Sequence, residues 1–302
     1  MNQLEAMKVF MQVADLGGFT AAAINLGLPK ASVSTAVQQL EELIGTRLLQ
    51  RTTRRVQLTQ DGQVFYERSK DLLADMENLQ GLFRQEPTQL RGRLRVDMAL
   101  PIARHVVIPN LPNFLKLHPE LEIELSSTDR LVDVIREGFD CVLRAGTLED
   151  SSLIARPLGA YRMINCVSPS YIAQYGKPET LDDLSEHRLV HYASVLGSRA
   201  TGFEYCLPNE RESRYLSMRG ALTVNNSDAY TAACLAGLGI IQAPETGIRP
   251  YLETGQIVEV LSAYRPAPMP VSIVYPNRRH LPQRVQVFMT WLHSLVQPRL
   301  MS

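Results

Sequence analysis

Apolar residues recur along the first sixty positions at helical spacing. Leu4, Met7, Phe10, Met11 and Ala14 share one face and run out at Gly17-Gly18, which predicts a first helix. Thr20 then reads as the N-cap of a small helix over 21–26, closed by Gly27 in the left-handed conformation. After Leu28 and Pro29, the positions Val33, Val37, Leu40 and Leu43/Ile44 mark the buried face of a longer helix beginning at Lys30. Lys30, Ser32, Ser34, Thr35 and Gln38 fall on its other face. Beyond Gly45 the period shortens, and Leu49, Val56 and Leu58 suggest two short strands around Thr52-Thr53.

From Thr59, a second N-cap, to about residue 85 the chain lacks proline and places Phe65, Leu72, Met76, Leu79 and Phe83 along a coiled-coil-like seam. A helix of about twenty-five residues is roughly 37 Å long, more than a small head needs, so the surplus seam predicts a partner helix. The plainer alternative packs it on its own C-terminal domain. Pro87 ends it, because the residue before proline disfavours helix. From Arg93 onward strands and helices alternate: strands over 94–98, 121–125 and 140–144, with helices over 103–117 and 131–137 between them. A second block offers strands over 163–167, 189–192 and 222–224, a helix over 228–235 and a strand over 240–242. A strand over 271–275 and a helix over 282–296 return to the first block, which makes a two-lobed clamp built on a mostly parallel sheet.

The chain has 302 residues, 45% of them apolar, enough for two or three domains. Its 31 Lys and Arg balance 31 Asp and Glu, so overall charge does not announce nucleic acid. The local distribution does. Arg47, Arg51, Arg54 and Arg55 follow the polar-faced helix with no acidic residue between Glu42 and Asp61. A helix whose polar face meets base edges beside a basic ribbon that neutralises phosphates is the layout of a winged helix-turn-helix. The competing readings are a helical hairpin with a solvated basic loop, and a solute-binding or enzymatic α/β protein with a basic N-terminal interaction domain.

Walker, GxSxG and HExxH patterns are absent from the sequence, and no enzymatic activity, cofactor or metal is expected. His187 and His191 lie four apart, but the residues between them read as strand entry, which points the two rings differently. Cys141, Cys166, Cys206 and Cys234 form no CxxC pair and are expected as buried thiols, with a thiol-based redox-sensing regulator as the sharper alternative. The N-terminus carries no signal pattern, and no apolar run reaches a membrane span, so a cytoplasmic location with no membrane partner is expected.

The head resembles that of the LysR-type transcriptional regulators. The resemblance is carried by Gly18-Phe19-Thr20-Ala21-Ala22-Ala23, Leu26-Gly27, Val33-Ser34 through Leu40-Glu41, Gly45, Arg51-Thr52-Thr53-Arg54-Arg55-Val56, Leu58-Thr59 and Gly62. It continues at 150–156, 236–240 and 275–281, and so covers nearly the whole chain. It implies an N-terminal all-α-type winged helix-turn-helix head over 1–60, a linker and dimerisation helix over 61–89, and a two-lobed α/β effector domain over 90–302 that resembles periplasmic solute-binding proteins. Lobe 1 takes about 90–160 plus 268–302, and lobe 2 about 161–267. The resemblance further implies DNA contacts from Lys30, Ala31, Ser32, Ser34, Thr35 and Gln38 and from wing residues Arg51, Arg54 and Arg55. It implies self-association as a dimer or tetramer through Phe65, Leu72, Met76, Leu79 and Phe83, with RNA polymerase as a further partner. Many members carry Arg where this chain has Thr35, which removes one route to guanine readout.

In open α/β sheets ligands lie beyond the carboxyl ends of the strands, which selects the loops at 99–102, 127–129, 146–147 and 226–227. Matching loops contact the effector in the family. Thr128, Thr147 and Ser227 are therefore the candidate polar contacts of a small-molecule effector, and Leu100 and Ile102 its candidate walls. Arg144 and Arg199 are candidate partners for an anionic effector, or surface charges. The expected function is sequence-specific regulation of transcription on double-stranded DNA, modulated by that effector.

Overall fold

A computed structural model describes residues 2–51, 56–81, 90–148, 153–198, 202–208, 210, 212–276 and 281–301, with the side chains of 51, 74–75 and 77–81 outside that description. The chain divides into two compact units: residues 1–93 with 118–122, and residues 94–117 with 123–302.

The first unit opens with α1 (Gln3–Asp15), α2 (Phe19–Leu26) and α3 (Lys30–Ile44). Asn2 starts α1 through a reciprocal capping box with Glu5. Thr20 does not cap α2: the helix begins two residues earlier than expected, at Phe19, with Gly18 as a cap that makes no side-chain bond. Gly27 ends it at φ 63°, where a side chain would be strained. The core is Ala6, Met7, Val9, Phe10 and Val13 of α1 against Ala22 and Ala23 of α2 and Val33, Ala36, Val37 and Leu40 of α3. Ile44 packs on this cluster while Leu43 stands 66% exposed, which settles that pair in favour of Ile44. Strands β1 (Leu49–Arg51) and β2 (Val56–Leu58) pair antiparallel with Leu49 opposite Leu58. Helix α4 (Gln60–Gly81) follows, its first turn capped by Thr59 Oγ1, which accepts the Gly62 N–H at 2.9 Å.

The second unit is built on a five-stranded sheet ordered β4-β3-β5-β14-β6. Its strands are β3 (Arg91–Met98), β4 (Glu120–Ser126), β5 (Cys141–Ala145), β6 (Leu153–Tyr161) and the returning β14 (Met269–Pro276). Between β3 and β4 lie α5 (Leu100–Ile102), a π-helical turn over Ala103–Val107 and α6 (Ile108–Leu117). The second lobe holds β7 (Met163–Val167), α7 (Pro169–Tyr175), β8 (His191–Tyr192), β9 (Phe203–Tyr205), β10 (Arg214–Leu216), β11 (Thr223–Val224), α8 (Ser227–Leu235), β12 (Ile241–Pro244), α9 (Glu245–Glu253) and β13 (Val258–Val260). Helix α10 (Gln283–Val296) closes the chain's return to the first lobe, where Phe288 and Trp291 meet Phe114 of α6 at 5.8 and 4.5 Å between ring centroids.

Two expectations change here. The sheets are mixed rather than mostly parallel: β3 and β5 are parallel, but β14 runs antiparallel to both β5 and β6, and β12 and β13 run antiparallel to β7. A strand that comes back from the other lobe enters from the opposite end, and this reverses its direction. Residues 131–137 form no helix but a chain of turns. Glu137 takes both Arg130 guanidinium nitrogens and the Asp133 N–H, so its side chain closes a single turn in place of a helical ladder.

Candidate nucleic-acid interface and effector cleft

Within the head, α3 presents its predicted polar face to solvent. Lys30, Ala31, Thr35 and Gln38 are exposed and Ser32 and Ser34 half-buried, while Val33, Ala36, Val37 and Leu40 are buried. Gln38 Nε2 donates to Glu42 Oε1 at 3.0 Å on this outer face, a bond that a base edge would have to replace. The ribbon is fixed to α3 from below. Glu41 Oε1 accepts the Leu48 N–H at 2.8 Å and the Leu49 N–H at 3.0 Å, which ties the start of β1 to the helix. The tip Thr52, Thr53, Arg54 and Arg55 and the side chain of Arg51 lie outside the described residues.

The linker helix divides its apolar residues between two tasks. Phe65 turns into the head, edge-on to Phe10 at 5.6 Å, so it belongs to this core and leaves the predicted seam. Tyr66 joins it there and donates its hydroxyl to Asp15, and burial together with that bond pushes its pKa up. Leu72 is exposed and Met76 half-buried; the Leu79 side chain and Phe83 lie outside the described residues.

The second unit encloses a cavity of about 470 Å³ between its lobes, within the size range of small-molecule sites. Ile102, Thr128 and Ser227 line it. Leu100 and Thr147 do not: Pro101 takes the place at the wall expected of Leu100, and Thr147 is exposed on a loop. The π-helical turn contributes His105 and Val106 to the wall, and lobe 2 contributes Tyr192 and Tyr230, whose rings meet edge to face at 5.4 Å.

Beneath the floor lies a polar cluster with no simple sequence signature. Asp97 is wholly buried and accepts from Ser126 Oγ at 2.7 Å, Thr128 Oγ1 at 3.2 Å and Arg144 Nη1 at 3.1 Å. Burial pulls the Arg144 guanidinium below its ordinary pKa, and the Asp97 charge opposes that shift. Arg144 is thus held by an internal carboxylate rather than standing free for an anion; Arg199 lies outside the described residues. Across the cleft, the Asp129 carboxylate accepts the Ser227 N–H at the start of α8, whose N-cap is Asn226.

Residues 4–63 match the bacterial regulatory helix-turn-helix protein, lysR family, and residues 87–297 match the LysR substrate binding domain. The chain belongs to the LysR family of transcriptional regulators. It is 47% identical over 297 residues to the uncharacterized HTH-type transcriptional regulator YhjC of Escherichia coli K12, covering 98% of this chain and 99% of that one. It is 32% identical to the HTH-type transcriptional activator AaeR of the same organism, covering 95% and 92%. Among solved structures it resembles CrgA, a LysR-type transcriptional regulator from Neisseria meningitidis, at 29% identity and a TM-score of 0.59 over 96% of this chain and 97% of that one.

As a LysR-type regulator the protein is a DNA-binding transcription factor with an α/β effector domain. No described helix is long and apolar enough to cross a membrane. The thiols of Cys141, Cys166 and Cys234 are buried and outside any disulfide, and burial raises all three, Cys234 to about 12, whereas Cys206 is only half-buried, against the expectation for it. Of the two histidines four apart, His187 is buried with Nδ1 on the Tyr171 hydroxyl at 3.1 Å, and His191 sits in β8. Among the described residues no cluster of His, Cys, Asp or Glu has metal-ligand spacing.

Proposed function

We propose that α3 is the recognition helix of this regulator, with Lys30, Ala31, Ser32, Ser34, Thr35 and Gln38 facing the bases and Arg51, Arg54 and Arg55 of the wing on phosphates. The observation that carries the assignment is the division of α3 into a buried apolar face and an outward polar one, which turns Lys30, Thr35 and Gln38 to the side where a major groove would meet them. Residues 1–60 form the DNA-binding domain, 61–89 the linker and 90–302 the effector domain. The exposed Leu72, with Met76, Leu79 and Phe83, pairs two linkers into a dimer that presents two heads to two half-sites, and two dimers make a tetramer. The protein works in the cytoplasm without catalysis, through DNA, an effector held between the lobes at Ile102, Thr128 and Ser227, and RNA polymerase.

A gel shift on the DNA upstream of its own gene tests this reading. Arg54→Ala with Arg55→Ala weakens binding across all sequences and lowers the salt slope by about 2, since each phosphate contact contributes about 0.9. Ser34→Ala changes base preference and leaves that slope intact. Unchanged affinity in the first variant refutes the wing, and unchanged preference in the second refutes the register of the helix.

A further inference from the structure

Among the described residues lining the cleft, three carry a formal charge: Arg144, Asp129 and Glu204. The one cation is already neutralised by Asp97 behind it. A second place where an anion would settle, the N-terminus of α8, is filled too, because the Asp129 carboxylate accepts the Ser227 N–H. Glu204 adds another negative charge, with one oxygen held by Ser213 Oγ at 2.6 Å. Arg144 and the start of α8 therefore each have an internal carboxylate, and Glu204 is left over, with the imidazoles of His105 and His191 as the other basic side chains of the lining.

Two buried polar atoms of the lining residues remain unmatched among the described residues. Arg144 Nη2 and Ser227 Oγ are buried and have no hydrogen-bond partner among the described residues. One comes from each lobe, and both can donate to an acceptor. The nearby carboxylates oppose an acceptor that carries charge, because like charges brought together in a cleft that excludes water repel. The rest of the wall, with Ile102, Ile248, Tyr192 and Tyr230, suits a flat apolar body.

We propose that the cleft selects an uncharged amphipathic molecule, an aromatic or similarly flat body bearing a carbonyl or amide acceptor, over the matching carboxylate, and that Asp129 sets this preference. The inference rests on reading the cleft as the effector site. Matched pairs test it by calorimetry on the full chain: benzamide and benzoate, cinnamamide and cinnamate, 2-naphthamide and 2-naphthoate. In the pairs that bind, the amide binds at least about tenfold more tightly than the acid. Asp129→Ser removes the charge and keeps a small hydroxyl near α8, and it shrinks that ratio at least about tenfold by strengthening the acid. Circular dichroism checks that each variant is folded. An acid that binds the unsubstituted protein as well as its amide, no binding by any pair, or an unchanged ratio in Asp129→Ser overturns the proposal. Gly247 lines the same cavity, and a Cβ there would meet Pro101 at 3.5 Å, so Gly247→Phe fills the cleft and abolishes amide binding. Amide binding that survives in Gly247→Phe places the ligand elsewhere and defeats the effector-cleft reading itself.

Discussion

Replacing Glu41 tests whether α3 and the wing move as one piece. A single carboxylate oxygen accepts two backbone N–H groups, from Leu48 at 2.8 Å and Leu49 at 3.0 Å, and both residues are buried. Glu41→Ala leaves both donors without an acceptor. A buried donor left unsatisfied costs about 1–3 kcal/mol, so the pair costs roughly 2–4 kcal/mol once some water reaches the edge of the site. At about 1.4 kcal/mol per factor of ten, amide exchange at Leu48 and Leu49 accelerates about 30- to 1000-fold. Glu41→Gln keeps an oxygen in place and loses only the charge, which roughly halves the bonds and accelerates exchange about tenfold. Hydrogen exchange on the full chain resolves these amides. Exchange in Glu41→Ala within about threefold of the unsubstituted protein would show that the bonds hold nothing, since neutral substitutions fall in that range. On the wing assignment proposed above, the same variant weakens DNA binding broadly, because it loosens β1 from α3.

Three further outcomes follow from the packing. Phe10 is fully buried between α1, Phe65 and Tyr66, and Phe10→Ala destabilises the head by about 3–5 kcal/mol, read as the loss of its thermal transition. A Cβ on Gly62 would lie 1.9 Å from the Leu48 carbonyl oxygen, so Gly62→Ala separates α4 from the wing base and also abolishes that transition. The Glu137 carboxyl is held down to about 2, first by Arg130 and then by the Asp133 N–H. Its folded value lies below the unfolded one of about 4.3, so its contribution to the turn is fully present above about pH 4.3 and is lost as pH falls through about 2. Carbon-detected titration of Glu137 reads this directly, and Arg130→Met returns the midpoint toward the ordinary carboxylate range.

The head was legible because its helices announce themselves locally. Val33, Val37 and Leu40 repeat at helical spacing, and Gly27 stops a helix for a steric reason that reads off the chain. Thr20 misled because a good capping side chain does not compel a cap when Gly18 already starts the helix two positions earlier. Phe65 misled differently: heptad spacing records that a residue is apolar, not which partner it faces, and Phe10 was its partner. The cleft was harder to read. Ile102, Thr128 and Ser227 lie at the strand ends where open α/β sheets gather ligands, but Asp97 meets Ser126 and Arg144, and Asp129 meets Ser227, across 29 to 98 positions. No local pattern carries such pairings. The turn at 133–138 failed for the opposite reason, since a helical pattern there was overruled by one glutamate closing on its neighbours.

The bonds that cross the cleft set the scale of what an effector must do. Arg104 and Asp228 face each other at 3.6 Å with both side chains about 60% exposed, and a pair so open contributes about 0–1 kcal/mol. The Asp129 carboxylate on α8 is worth about 0.5–2 kcal/mol, as a charged group at a helix N-terminus. Each of these two bonds is of a strength that a ligand can exceed. Moving a population from 1:99 to 99:1 requires about 5.5 kcal/mol of preference for one arrangement, and a ligand that fills the cavity equally well in both supplies none of it. A molecule that gains contacts to both lobes only when they meet converts its affinity into closure. Asp129 stands at that junction as both latch and charge filter, and for this reason Asp129→Ser should loosen the unliganded clamp in the same step that alters which ligands it accepts.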